Sequence, residues 1–131
     1  MALLQDIEQY AIHSSTLSKD KQFLETIGNK LRRATKDEIK PELIHAVAEL
    51  LNDFFIKLDD EGKLNDNMEK TLIELRGVAY ALEQMIDDKR LYDEYFTKAL
   101  ELGSKILKFA QALRFLLVGA IADNIPPSLF G

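Results

Sequence analysis

Glu42 and His45 stand three residues apart in "PELIH", a spacing that on a helix sets a carboxylate and an imidazole on one face. That is half of a di-iron carboxylate site. The other half is missing, because the second histidine, His13, has Tyr10 three residues before it instead of an acid. An acid in a first helical turn beside a partly exposed histidine explains the pair without a metal. A metal-binding bundle built on Glu42 and His45 is therefore kept only as an alternative, and no cofactor is expected. The chain has no cysteine, which removes disulfides, thiolate zinc sites and cysteine nucleophiles. "HSST" and "SLF" carry hydroxyls, but one histidine beside a serine is not a triad. Neither a G-x-S-x-G elbow nor a glycine-rich phosphate loop occurs. The acid pairs Asp59–Asp60 and Asp87–Asp88 flank helices, where solvation accounts for them. No catalytic residue is assigned, and a non-catalytic protein is expected.

The most basic stretch is "NKLRRATK", with Lys30, Arg32, Arg33 and Lys36 as candidate contacts for a phosphate or another anion. Cations in the last turn of a helix also offset its macrodipole, which requires no ligand. Charge is spread unevenly over the 131 residues, whose net charge is −5. Residues 1–40 carry seven Lys/Arg against six Asp/Glu, residues 41–103 seven against fifteen, and residues 104–131 three against one. An acidic middle repels nucleic-acid phosphates and suits a basic partner, although a solvated acidic face has the same composition.

The elements that must position these residues are helices. Apolar spacing is helical almost throughout, and no segment alternates at period two. Leu3, Leu4, Ile7, Tyr10 and Ala11 form a first stripe, ended by "HSSTLS". Ser18 is expected to cap a second helix carrying Phe23, Leu24, Ile27 and Leu31. Pro41 places the start of a third helix near Lys40. Its face is Leu43, Ile44, Val47, Leu50, Leu51, Phe54 and Leu58, followed by a solvated loop with Gly62. A fourth helix sets Met68, Leu72, Leu75, Ala79, Leu82 and Ile86 at steps of four and three, with Gly77 beside the seam to permit a close helix approach. Nothing breaks a helix between Asp87 and Asp93, so residues 87–102 either continue the fourth helix or follow a kink, burying Tyr92, Tyr95, Phe96, Ala99 and Leu102. Gly103–Ser104 marks a stop and a new start. The last helix is expected from Ser104 to Ala122, before an irregular tail at 124–131 held open by Pro126 and Pro127.

That last helix is the most apolar. Lys105, Lys108 and Ala112 mark one face, and Ile106, Phe109, Ala110, Leu113, Leu116, Leu117 and Ile121 the other. Only eight residues separate Arg114 from Asp123, far short of the roughly 20 that a bilayer requires, so the chain is not expected to be transmembrane. The first half of the helix is amphipathic and the second half is apolar all round, and a helix of that kind is central in its bundle or covered by another subunit. Phe115, Leu117, Val118, Ile121, Ile125, Leu129 and Phe130 are the candidate interface.

One local pattern points elsewhere. Glu101, Leu102, Gly103, Lys105, Gln111, Leu113, Arg114, Leu117, Gly119 and Pro126 or Pro127 fall in "ALELGSKILKFAQALRFLLVGAIADNIPPSLF". This segment resembles the tail of the anticodon-binding domain of bacterial glutamyl-tRNA synthetases, over about a quarter of the chain. The resemblance implies a tRNA-contacting helical module, while the synthetase catalytic motifs are absent and the acidic middle opposes a tRNA surface. RNA or tRNA binding stands as the alternative function. The expected protein is thus all-α, one antiparallel bundle of four to six helices over residues 1–131. It acts as a binding or regulatory module through contacts with copies of itself or another protein, and nucleic acid is not the expected partner. The N-terminus has neither a basic n-region nor a long apolar core, so a cytoplasmic location is the expectation.

Overall fold

Lys40 precedes Pro41 in extended conformation (φ −91°, ψ 157°), and the third helix starts on the proline, as the sequence requires. The computed structural model describes the backbone of residues 2–86 and 88–124, and side chains over 3–86 and 88–114. Among the described residues there are five α-helices and no strand: α1 (Ala2–Gln9), α2 (Leu17–Arg33), α3 (Pro41–Asp60), α4 (Asp66–Met85) and α5 (Tyr92–Asn124). A single 3-10 turn, Lys89–Leu91, leads into α5. The fold is an all-α bundle. In it α1 packs on α3, α3 on α4, α4 on α5, and α5 on α2.

Local chemistry sets the helix ends. Thr16, not the expected Ser18, caps α2: its hydroxyl accepts from the Lys19 amide at 3.3 Å. The reason is position, since the helix begins two residues earlier and Ser18 lies inside its first turn. Gly62 ends α3 at φ +67°, with Lys63 N donating to Leu58 O (2.9 Å) and Gly62 N to Asp59 O (3.1 Å). This paired closure needs a left-handed residue, which glycine supplies without a side-chain clash. Asn65 caps α4 by accepting from Met68 N at 2.9 Å.

The core follows the apolar stripes. Leu24, Ile27 and Leu31 of α2, the seven apolar residues expected of α3, and Met68, Leu72, Leu75, Ala79 and Leu82 of α4 are all buried. Ile86, expected as the last buried residue of the fourth helix, follows its end and is half-buried. On α5, Tyr95, Ala99, Leu102, Ile106, Phe109, Ala110 and Leu113 are buried, and Phe109 meets Phe54 edge-on, centroids 5.8 Å apart.

Three expectations are corrected. Of the two courses open for residues 87–102 the chain takes the break, leaving the helix after Met85 and re-entering at Tyr92, but Tyr92 is exposed instead of buried. Asp88 holds the intervening turn by accepting from Arg90 N at 3.0 Å. Gly103 does not stop a helix either, since α5 runs through it without a break. It is the point where α5 crosses α2. A Cβ built on Gly103 would lie 2.8 Å from Leu31 Cβ, and one on Gly28 would lie 2.9 Å from Gly103 O. Gly77, expected at a close approach, has nothing within 4 Å of a Cβ built on it.

Candidate interaction surfaces

The two charges that sequence reasoning missed are the two buried ones. Asp20 is fully buried and Lys57 is 5% exposed. Lys57 Nζ donates to Asp20 Oδ2 at 2.6 Å, to Ser15 O at 2.8 Å and to Ser15 Oγ at 3.1 Å. Tyr10 Oη donates to Asp20 Oδ1 at 2.6 Å, and the Ser15 hydroxyl donates to the same oxygen. The Tyr10 ring stacks on Phe23 with centroids 3.8 Å apart. Burial, then the Asp20 hydrogen bond, pushes the Tyr10 hydroxyl up to about 12. Every member of the cluster has partners, so it staples the 10–16 segment and the start of α2 to the end of α3. A signal was present. Asp20, Leu24, Ile27 and Leu31 share one stripe, as do Leu50, Phe54 and Lys57, which puts opposite charges at core positions of two helices.

The basic candidates separate. Lys30 and Arg33 line one cleft of about 350 Å³ with Leu3, Leu43 and Glu38. Lys30 also pairs with Asp6 at 3.3 Å. Lys36 belongs elsewhere: it pairs with Asp93 at 2.8 Å and lies over the Tyr92 and Phe96 rings. That contact holds the Lys36 pKa up and the Asp93 carboxyl down. Arg32 is exposed and does not line the cleft. The four residues are thus not one anion site.

Glu42 and His45 do share a cleft, but His45 bonds other acids: Nε2 lies 3.0 Å from Glu49 Oε1 and Nδ1 lies 3.3 Å from Glu83 Oε1. Among the described residues, no group of three or more His, Asp or Glu side chains is arranged to hold a metal ion. Glu8, Glu42, Glu49 and Glu83 line this cleft. A second cleft, with Asp53, shares Glu8, Ala46 and Glu49 with it. Together they form one groove along α1 and α3 that, among the described residues, has five carboxylates, no Lys or Arg, and a floor that includes Ala46 and Leu50.

On the other side of α3, its outer face meets that of α4 in an apolar shelf around Ala48, Ile73, Gly77 and Tyr80. Ile73 is 53% and Tyr80 64% exposed. Arg76 stands at one end, 5.0 Å over the Phe55 ring, and Glu83 at the other.

The expected interface residues Phe115, Leu117, Val118 and Ile121 lie on helical backbone, but their side chains fall outside the described residues, as do Ile125, Leu129 and Phe130 altogether. Among the described residues no helix is long and apolar enough to cross a membrane. No protein-family model, curated protein or solved structure matches this chain.

Proposed function

We propose that this chain is a non-catalytic binding module that works through protein–protein contacts, taking a Lys/Arg-rich segment of its partner in the groove along α1 and α3. One observation carries the reading: among the described residues, five carboxylates line that groove without a lysine or arginine. Some acids outside the groove are paired with a lysine, as in Lys21–Glu25, Lys36–Asp93, Lys63–Glu61 and Lys105–Glu101, whereas in the groove Glu49 and Glu83 meet only the His45 imidazole among the described residues. Glu49 and Asp53, four apart on α3, repel each other on a helix surface by about 0.2–0.5 kcal/mol. A cationic segment would relieve that repulsion and bury the groove floor, and the potential would steer its approach.

The test is titration of a synthetic Lys/Leu-patterned amphipathic peptide at low salt. Neutralising the groove (Glu8→Gln, Glu49→Gln and Asp53→Asn together) should weaken binding about tenfold. Removing the same charge at Asp59, Asp60 and Glu61 should leave it nearly unchanged. Equal losses from the two triple variants would reduce the effect to net charge and remove the reading.

A further inference from the structure

The α3–α4 shelf is separate from the acidic groove apart from Glu83, which borders both. We propose that it docks a second copy of this chain, face to face about a twofold axis, with each Tyr80 ring seated over Gly77 of the other copy.

On α4 the exposed stripe is Ile73, Gly77, Tyr80 and Gln84, at steps of four, three and four. Reversed, the stripe has the same steps, so an antiparallel copy sets Tyr80 against Gly77 and Ile73 against Gln84. On α3 the outer row is Ala48, Asn52 and Ile56, which inverts about Asn52 and sets Ile56 against Ala48. Both centres must lie level for one axis to serve both helices. His45 contacts Glu83 and Phe55 contacts Arg76, so α3 and α4 are antiparallel and Asn52 lies level with the midpoint of Gly77 and Tyr80. One twofold axis therefore passes both centres, as an isologous contact requires.

Shape and charge agree with that axis. Nothing lies within 4 Å of a Cβ built on Gly77, while three to four residues away Tyr80 and Ile73 are more than half exposed. Knob and hole are adjacent on one helix, and inversion brings them together. Arg76 has its guanidinium over Phe55, and no carboxylate pairs with it among the described residues. Glu83 lies on the same side of the stripe, beyond the axis. Inversion sets Arg76 beside Glu83 of the other copy, twice per dimer, whereas a parallel arrangement would set like charges together. Two helices of 20 residues present a face about 30 Å long and about 20 Å wide. That is of the order of the ~800 Å² per partner in a standard interface.

The test is sedimentation equilibrium of the full chain over a concentration series. Wild type should show reversible monomer–dimer exchange. Arg76→Glu and Glu83→Arg should each weaken the dimer about tenfold, and the double exchange should restore it, because the charges meet only between copies. Gly77→Leu fills the hole and should abolish dimerisation while the monomer keeps its helical spectrum and melting. A wild type that stays monomeric throughout overturns the proposal. So does a dimer untouched by Gly77→Leu, or one that the double exchange fails to rescue. Peptide binding in the groove is a separate readout, so either proposal can fail while the other stands.

Discussion

Gly103 and Gly77 both sit inside long helices, and the two regions they mark differ in kind. At Gly103 the α2 and α5 backbones approach until a methyl group has no room, with Leu31 Cβ and Arg32 N inside 3.0 Å of it. At Gly77 the same methyl group would meet open space. The α2–α5 seam is closed by contacts within the chain, while the α3–α4 outer face leaves Ile73 and Tyr80 exposed around its glycine. A glycine's meaning lies in its neighbours. Its helix propensity cost of about 1 kcal/mol is repaid at Gly103 by close packing inside the chain, and at Gly77 by nothing within it.

Large side chains separate the two regions most strongly. Phe109→Ala opens a cavity where α5 meets Phe54 of α3 and should cost about 3–5 kcal/mol in chemical denaturation. Ile73→Ala on the open face should stay within about 0.5 kcal/mol at dilutions where the chain is monomeric. Similar losses at both positions would mean that the open face is part of the core.

Next comes the buried ion pair. Lys57→Met strands Asp20 without its cation and should cost about 3–5 kcal/mol. Exchanging both residues, Asp20→Asn with Lys57→Met, should recover most of that loss, because no charge is then buried while the amide oxygen still accepts from Tyr10 and Ser15. Thermal melts of the three proteins decide it, and a double variant as weak as the single would assign the loss to packing.

The half-buried Tyr10 and the buried Tyr95 hydroxyls give smaller effects of opposite sign. Tyr10→Phe removes a hydrogen bond to a charged acceptor and should cost about 1.5–3 kcal/mol. Tyr95 has a buried hydroxyl with no hydrogen-bond partner among the described residues, so Tyr95→Phe should be neutral or stabilising by up to about 1 kcal/mol. Burial is the main reason that both hydroxyls stand at about 12 against an ordinary 10.0. With folded values raised, the unfolded chain loses these protons first, so their contribution is intact below pH 10 and is lost between pH 10 and about 12. Stability followed across that window should fall less steeply in either Phe variant than in wild type.

Much of the fold was legible because it is local. Pro41 announced α3, the α3 and α4 stripes named their buried faces, and Phe109, Ala110 and Leu113 separated from Lys105 and Lys108 by helical period alone. What escaped was long-range. Asp20 and Lys57 meet across 37 residues, and Glu42 beside His45 suggested a pair that the fold replaces with Glu49 and Glu83. Gly103–Ser104 has the composition of a helix end, and only the approach of Gly28 shows why glycine is needed mid-helix. The groove was visible as an acidic middle, but its α1 wall, Glu8, came from outside that middle and is placed by packing.

The contrast between the finished seam and the open face is tested most directly by one methyl group at two positions. Urea unfolding of Gly103→Ala and Gly77→Ala, in dilute solution, should move in opposite directions. Gly77→Ala should gain roughly 0.5–1 kcal/mol from helix propensity alone. Gly103→Ala makes the same gain but forces α2 and α5 apart, and should lose about 1–3 kcal/mol net. Two variants shifted equally, or Gly77→Ala destabilised as Gly103→Ala is, would show that the two glycines do not differ in their surroundings.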